Sequence, residues 1–156
     1  MRIRNALVGI YSLGVDTSPF IYFTEHRAGY VDKVRTIFRH VFEGQIVVVA
    51  STIILTETLA KPLQNQADDL VAAYQALFEN TQGISLCPVD QAIAVRAAHL
   101  CAQYNIKTPD ALHLATAIEA GCQAFLTNDL DLRRVEEIRI LALDDLELDG
   151  PGRSPS

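Results

Sequence analysis

Four acidic residues of this chain stand where their side chains could act together on one substrate. Two directly follow short apolar runs of strand-like character, and two lie in segments with a helical pattern of apolar residues. The four are Asp16, Glu57, Asp110 and Asp129. Acids at strand ends and helix starts converge in an open α/β fold, because ligands bind in the crevice beyond the carboxyl ends of the strands. Crowded carboxylates repel one another and usually hold a hard cation. The pattern therefore predicts a Mg²⁺ or Mn²⁺ site and phosphodiester chemistry.

Each acid taken alone also has a structural interpretation. Asp16 and Asp129 could cap the helices that follow them, because a carboxylate accepts hydrogen bonds from the free N–H groups at a helix start. Asp110 would be favoured in the first turn of its helix by the helix dipole. Thr17 and Ser18 could cap the first helix equally well, which would leave Asp16 free to face a cation. The four acids together, in this order and at these element ends, favour a functional site.

Glu57 has the weakest structural interpretation of the four. Ile53, Ile54 and Glu57 have the spacing of one helix face, so the carboxylate would share that face with apolar side chains. An unpaired buried carboxylate is costly. Two interpretations remain, a metal ligand or a buried ion pair with Lys61, and the presence of the other acids favours the ligand.

Strand-like and helix-like segments alternate along the chain. The predicted strands are 13–15 (with a start as early as Val8), 45–50, 84–87, 124–127 and 139–143. The predicted helices start at 19 and span 30–42, 52–62, 68–80, 90–104, 108–121 and 130–135. This alternation predicts an α/β domain with right-handed crossovers and a parallel sheet that carries helices on both faces.

Composition narrows the class of protein. The length of 156 residues suits one domain, which we expect over 1–149, with an N-terminal extension at 1–8 and a flexible tail at 150–156. No apolar stretch approaches the roughly 20 residues of a membrane helix. The net charge of −6 argues against a large basic surface for nucleic acid, but not against a nuclease whose acids bind metal. Three cysteines without a C-x-x-C pair predict reduced thiols in a cytoplasmic protein.

Four short segments occur at the spacing of a known family. They are VDTS at 15–18, LTETL at 55–59, TPDALHLATA at 108–117 and FLTND at 125–129. Through them the chain resembles the PIN domain family, and within it the VapC-type toxin ribonucleases, over most of its length. The resemblance implies a three-layer Rossmann-like sheet of about five strands in the order 3-2-1-4-5. It also implies that Asp16, Glu57, Asp110 and Asp129 are the catalytic residues and hold the divalent metal.

The resemblance further implies cleavage of single-stranded RNA, often by a homodimer that a small antitoxin protein silences. Water attack would leave a 5′-phosphate and a 3′-hydroxyl. Five residues would support the metal ligands without binding the metal: Thr17, Thr127, Asn128, Asp131 and His113. We prefer this supporting role for His113 over that of a general base. Candidate RNA phosphate contacts flank Glu57 and Asp129: Lys61, Arg133 and Arg134, although the two arginines could also form a solvated helix face.

Two other functions stay open at this point. One is a PIN module that binds RNA or protein without cutting, against which the presence of all four acids counts. The other is a structure-specific DNA nuclease, which the absence of an insertion for a DNA-threading arch disfavours.

Aromatic residues of the first half bear on the oligomeric state. They are Phe20, Tyr22, Phe23, Tyr30, Phe38 and Phe42. Most of them should pack the first helices on the sheet, but Tyr22, Phe23 and Tyr30 crowd one short stretch. We therefore expect a homodimer that buries on the order of 800 Å² per subunit.

Overall fold

The computed structural model describes residues 1–150, so the predicted tail beyond Gly150 lies outside the described residues. The strands are β1 (Ser12–Val15), β2 (Val47–Ser51), β3 (Ile84–Cys87), β4 (Ala124–Thr127) and β5 (Arg139–Ala142). The α-helices are α1 (Ile3–Ala6), α2 (Thr17–Thr24), α3 (Val31–Phe42), α4 (Ile53–Gln64), α5 (Asp68–Asn80), α6 (Gln91–Tyr104) and α7 (Thr108–Glu119). Short 3₁₀ helices follow β4 and β5, at Leu130–Arg134 and Leu143–Asp145.

The five strands form one parallel sheet in the order β3-β2-β1-β4-β5. This is the predicted order, and the prediction is confirmed. β1 lies at the centre, with Gly14 opposite Val49 on one side and opposite Phe125 on the other. The chain therefore reverses its winding direction at β1, which is where ligands bind in sheets of this kind.

Helices cover both faces of the sheet, as predicted. Successive side chains of a strand point to opposite faces, and β4 shows this pattern with three fully buried residues in a row. Ala124 and Leu126 join the core formed with α1 to α5, whereas Phe125 joins the core formed with α6 and α7. The continuous apolar run of β4 is thus explained by burial on both sides.

Helix α7 approaches the centre of the sheet closely because β1 carries a glycine there. A Cβ atom at Gly14 would lie 2.4 Å from the Cβ atom of Ala117 and 3.0 Å from the ring of Phe125. Only a residue without a side chain fits this contact. The small pair Gly14 and Ala117 thus sets the distance between α7 and β1.

Several predicted boundaries differ from the structure, for example that of β2, which begins at Val47 and not at 45, and that of α2, which begins at Thr17 and not at 19. The first strand begins at Ser12, and Val8 lies in a turn ahead of it. Helix α4 continues through Pro62 to Gln64. The segment after Asp129 is a 3₁₀ helix, Leu130–Arg134, and it does not reach Val135.

The N-terminal segment is folded into the domain. Ile3 and Ala6 of α1 are fully buried in the larger core. The amide of Ile3 donates to the carbonyl of Glu147 (3.0 Å), and the amide of Glu147 donates to the carbonyl of Met1 (2.8 Å). Residues 1–6 therefore extend the core next to the C-terminal segment.

Within residues 1–150, no helix combines the length and apolar character needed to cross a bilayer. The three cysteines, Cys87, Cys101 and Cys122, are free thiols. Cys122 is buried, and its desolvation raises the pKa of the thiol.

The contact of Gly14 with Ala117 can be tested by substitution. Gly14→Ala should lower the free energy of unfolding by about 1–3 kcal/mol, because overpacking forces the helix and the strand apart. Ala117→Gly alone should cost about 1 kcal/mol through helix propensity. The double variant should lose less than the sum of the two, because removal of the Ala117 methyl makes room for the new one. Urea denaturation measures all three, and additive losses would show that the two side chains do not compete for space.

Candidate active site

Asp16 and Asp129 lie side by side because the strands that precede them, β1 and β4, are neighbours in a parallel sheet. The last residue of β4, Thr127, connects them. Its hydroxyl donates to Oδ2 of Asp16 (2.8 Å) and accepts a hydrogen bond from the amide of Asp129 (3.0 Å). Thr127 is fully buried, so this link is shielded from water. The predicted supporting residue thus holds two of the predicted ligands at fixed positions.

Asp16 also caps α2. Its Oδ1 atom accepts a hydrogen bond from the amide of Thr17 (2.8 Å), and the residue is 7% exposed. The expectation that Thr17 or Ser18 would take the cap and leave Asp16 free is therefore wrong. Each carboxylate oxygen accepts one hydrogen bond from the protein and keeps a second lone pair for another partner.

Glu57 is held by a histidine from the other face of the sheet. Nε2 of His113 lies 2.5 Å from Oε1 of Glu57, and the hydroxyl of Thr17 donates to the same oxygen (3.2 Å). The hydrogen bond from His113 lowers the pKa of Glu57, against the opposing effect of burial. Glu57 is therefore a carboxylate at neutral pH, and Thr17 and His113 hold it in place by hydrogen bonds.

The expected burial of Glu57 is wrong, and the alternative of an ion pair with Lys61 is excluded. Its side chain is about a third exposed (35%), whereas Ile54 and Thr58 form the buried face of α4. Within residues 1–150 its side-chain partners are His113 and Thr17, and it forms no ion pair with Lys61. The i, i+3, i+4 spacing places Glu57 at the margin of the apolar stripe. Its carboxylate faces the crevice beyond the carboxyl ends of the strands.

The proton of His113 can be placed from its surroundings. The ring is 2% exposed, and Nδ1 has no hydrogen-bond partner among residues 1–150. A proton on Nδ1 would be a buried donor without an acceptor, which is costlier than an unfilled lone pair. The proton therefore sits on Nε2, where Glu57 accepts it. Nε2 also lies 3.9 Å from Oδ1 of Asp16, so the imidazole stands between two of the acids.

Asp110 is the acid of the site whose ionisation is opposed by its surroundings. It lies in the first turn of α7, and its pKa is raised to about 6 by burial and then by the charges of Asp16 and Asp129. Glu57 raises it further, and His113 acts in the opposite direction. The structure therefore brings all four predicted acids together, close enough for each to act on the ionisation of Asp110.

The donor set suits a hard divalent cation. Carboxylate oxygens are the ligands that Mg²⁺ and Mn²⁺ prefer, and the raised pKa of Asp110 marks negative charge that a cation would neutralise. Within the described residues, however, no three acidic, histidine or cysteine side chains are already placed to ligate one ion. The hydrogen bonds of Asp16 and Glu57 explain this, because they turn the oxygens toward protein donors. An ion would have to bind through water or shift these side chains.

The other predicted residues lie around this centre. The side-chain amide of Asn128 donates to the hydroxyl of Tyr22 (3.0 Å), a contact that no local sequence signal indicates. The amide of Asp131 donates to Oδ1 of Asp129 (3.0 Å), which helps to orient that acid. Its own carboxylate is exposed and pairs with Arg134 (3.3 Å).

The predicted phosphate contacts differ in their surroundings. Arg133 pairs with the carboxylate of Asp145 (3.2 Å), and Arg134 with Asp131. Lys61 lies one helical turn beyond Glu57, on the wall of a cavity that Glu57 also lines. Of these three, only Lys61 shares a cavity with one of the four acids, and only Lys61 has no acidic partner among residues 1–150.

Comparison with protein families identifies the fold. The family model of the PIN domain matches residues 14–138, which contain all four acids. The chain belongs to the PIN domain family. Comparison with curated proteins gives no match.

Solved structures share the architecture of this PIN domain at low sequence identity. VapBC2 from Rickettsia felis, bound to a promoter DNA fragment, matches with a TM-score of 0.69 and 12% identity, covering 84% of this chain and 98% of that one. DNA-bound VapBC from Salmonella typhimurium gives 0.68 and 17%, covering 86% and 98%. Mycobacterium tuberculosis VapC20, a toxin that cleaves the sarcin-ricin loop, gives 0.63 and 16%, covering 82% and 98%. This PIN domain therefore has the fold of the VapC proteins.

The crowding of Asp110 makes a prediction about stability. Because its pKa is raised from 3.8 to about 6 in the folded protein, the folded state binds the proton more tightly than the unfolded state. Stability should fall as the pH rises between these values, and the full penalty should apply above pH 6. Without divalent metal, Asp110→Asn should therefore stabilise the domain at pH 7.5 by on the order of 1 kcal/mol, a figure reduced for solvent screening.

The gain should be small at pH 4 and disappear below about pH 3, where Asp110 is mostly protonated in the unfolded as well as the folded protein. Urea denaturation in EDTA at pH 4 and pH 7.5 measures it. Asp69→Asn is the matched control, an exposed acid in the first turn of α5 that should not stabilise the protein. A stability of Asp110→Asn equal to or below that of the unchanged protein at pH 7.5 would contradict the electrostatic account.

Proposed function

We propose that this PIN domain is a Mg²⁺- or Mn²⁺-dependent endoribonuclease that cleaves single-stranded RNA and acts as the toxin of a toxin–antitoxin pair. The observation that carries the proposal is the convergence of four carboxylates at the switch point of the sheet. A site kept for stability alone would not gather them, because they raise the pKa of Asp110. The VapC fold supports the same assignment.

In this proposal Asp16, Glu57, Asp110 and Asp129 hold one or two cations, mostly through water, since Mg²⁺ dehydrates reluctantly. The bound ion would acidify a water molecule and offset charge on the transferring phosphoryl group. Asp110 or Asp129 would orient the attacking water. Its oxygen bonds to phosphorus while the bond to the 3′ oxygen breaks, which leaves a 5′-phosphate and a 3′-hydroxyl.

The supporting residues give the acids their positions. Thr127 keeps Asp16 and Asp129 at neighbouring strand ends, and His113 keeps Glu57 ionised and turned toward the crevice. Lys61, Arg133 and Arg134 are proposed to contact RNA phosphates around these acids. Activity on cellular RNA would place the protein in the cytoplasm.

The proposed partner is a small antitoxin protein. The similar structures from Rickettsia felis and Salmonella typhimurium are VapBC complexes, and a further one from Klebsiella pneumoniae is a toxin–antitoxin complex with a TM-score of 0.58. An antitoxin segment that enters the acidic crevice would block both cation and RNA. Co-purification of a small protein from the native host tests this partner.

Cleavage assays separate the proposed nuclease from a binding module and from a DNA nuclease. Labelled single-stranded RNA and DNA are incubated with the protein and Mn²⁺, and then with EDTA. We expect cuts in RNA that EDTA abolishes. Asp16→Asn should remove the activity while the protein stays folded, because asparagine caps a helix as well as aspartate does.

Asp32→Asn is the control, since Asp32 is an exposed acid in the first turn of α3. It should cut RNA like the unchanged protein. Wild-type rates for Asp16→Asn, with circular dichroism showing an unchanged fold, would overturn the proposed mechanism.

We further propose that the domain is a homodimer. Of the six aromatic residues considered for the interface, Phe20 and Phe38 are fully buried, and Tyr22 stacks on Tyr30. Phe42 is the one large exposed member of the set, at 50%. Light scattering at micromolar concentration should give twice the subunit mass of 17.2 kDa. A single-subunit mass would exclude the dimer under those conditions.

A further inference from the structure

A cavity beside the acidic site carries two positive side chains. It has a volume of about 270 Å³ and lies among α2, the loop that follows it, α4 and α5. Glu57 forms the part of its wall that faces the acidic crevice. Arg27 and Lys61 line the same cavity, and both are exposed. A nucleotide chain bound at the acids could therefore continue into this cavity and contact the two positive side chains.

The two cations are free to bind an external anion. Neither Arg27 nor Lys61 donates a side-chain hydrogen bond or joins an ion pair within residues 1–150. The cavity also contains Glu25, but its carboxylate accepts the hydrogen bond of the buried Tyr74 hydroxyl. This hydrogen bond holds one oxygen of Glu25 at the α5 side of the cavity, and within residues 1–150 the carboxylate forms no ion pair with Arg27 or Lys61.

Arg27 is tied to the acidic site through a stack of aromatic rings. Its guanidinium lies over the ring of Tyr22, 5.7 Å from the centroid. Tyr22 stacks on Tyr30 with ring centroids 4.5 Å apart, and its hydroxyl accepts from Asn128, next to Asp129. This arrangement restricts Arg27, so the free energy lost in ordering it on binding is reduced.

Lys61 has a fixed relation to Glu57. The two residues are four positions apart on α4 and share one face of the helix, about 6 Å apart along its axis. A phosphate held by Lys61 would therefore lie one step along a nucleotide chain from a phosphate held at the acids. The remaining wall includes Ile21, Pro62 and Leu70, an apolar surface against which an unstacked base can rest.

We propose that Arg27 and Lys61 form a binding subsite for the nucleotide adjacent to the scissile bond of single-stranded RNA. They hold its phosphate, and the apolar wall of the cavity receives its base. The subsite rests on the proposed ribonuclease function and adds a substrate contact to it. A chain with a net charge of −6 and an acidic centre repels RNA, so local cations beside the centre are needed to retain the substrate. The small volume favours a single splayed nucleotide over a duplex.

The test measures binding separately from cleavage. Fluorescence anisotropy with a short labelled single-stranded RNA gives the Kd in EDTA at several salt concentrations. Arg27→Gln/Lys61→Gln should weaken binding roughly tenfold at low salt and reduce the slope of log K against log salt by about 1.4, or about 0.7 for each lost phosphate contact. Loss of packing alone would not change this slope in proportion to the charges removed.

The matched control removes two charges elsewhere. Arg4→Gln/Arg39→Gln changes two exposed arginines, and Arg39 lies in the last turn of α3, which leads to the start of β2, whereas the acids follow the carboxyl ends of strands. It should bind RNA with the wild-type Kd and slope. Equal losses in both double variants, or no loss in Arg27→Gln/Lys61→Gln, would overturn the subsite.

An acidic peptide provides the remaining comparison. If Arg27→Gln/Lys61→Gln weakens peptide binding but leaves RNA binding unchanged, the cations serve a protein partner and the subsite is overturned. Cleavage with Mn²⁺ separates this inference from the proposed function. A specific loss of RNA binding in a protein that cuts no RNA supports the subsite and removes the nuclease. If the wild-type protein cuts RNA and the variant binds and cuts RNA equally well, the nuclease function stands and the subsite is overturned.

Discussion

The close contact between Gly14 and Ala117 is the constraint on which the acidic site depends. It allows α7 to lie against the central strand, and α7 carries both Asp110 and His113. A side chain at position 14 would hold the helix away from the sheet. Asp110 would then move away from Asp16 and Asp129, and His113 would lose contact with Glu57. The contact between Gly14 and Ala117 in the middle of the sheet therefore controls the spacing of the carboxylates beyond the strand ends.

Within this frame the acids are stabilised unequally. Asp16 receives hydrogen bonds from Thr17 and Thr127, and Glu57 receives them from Thr17 and His113. These donors fix the positions of two carboxylates, and the hydrogen bond from His113 lowers the pKa of Glu57. Asp110 gains no such donor among residues 1–150, and its pKa is raised by burial and then by the charges of Asp16 and Asp129. The fold thus keeps part of its negative charge uncompensated, a state that suits cation binding and disfavours stability.

Sequence reasoning succeeded where the local pattern decides the structure. The bounds of α5, β3 and β4 match their predictions because α5 has a clear helical stripe, β4 is buried on both faces, and Gly83 and Pro88 bound the short β3. The sheet order came from the family resemblance, since periodicity does not specify which strands pair. Glu57 was misplaced because the spacing of an apolar stripe does not fix its edge. The burial of α1 against residues near Glu147, and the contact of Asn128 with Tyr22, depend on partners more than a hundred positions away, which no local signal reveals.

The central place of β1 has a consequence for a chain that is still being synthesised. Residues emerge from the ribosome in order from the N-terminus. Until β4 has emerged, one edge of β1 is bare, and Asp16 lacks the hydroxyl of Thr127. The amide of Ile3 gains its hydrogen-bond acceptor, the carbonyl of Glu147, later still. A nascent chain therefore carries its first acids without an assembled centre, and the four acids come together only once nearly the whole domain has left the ribosome.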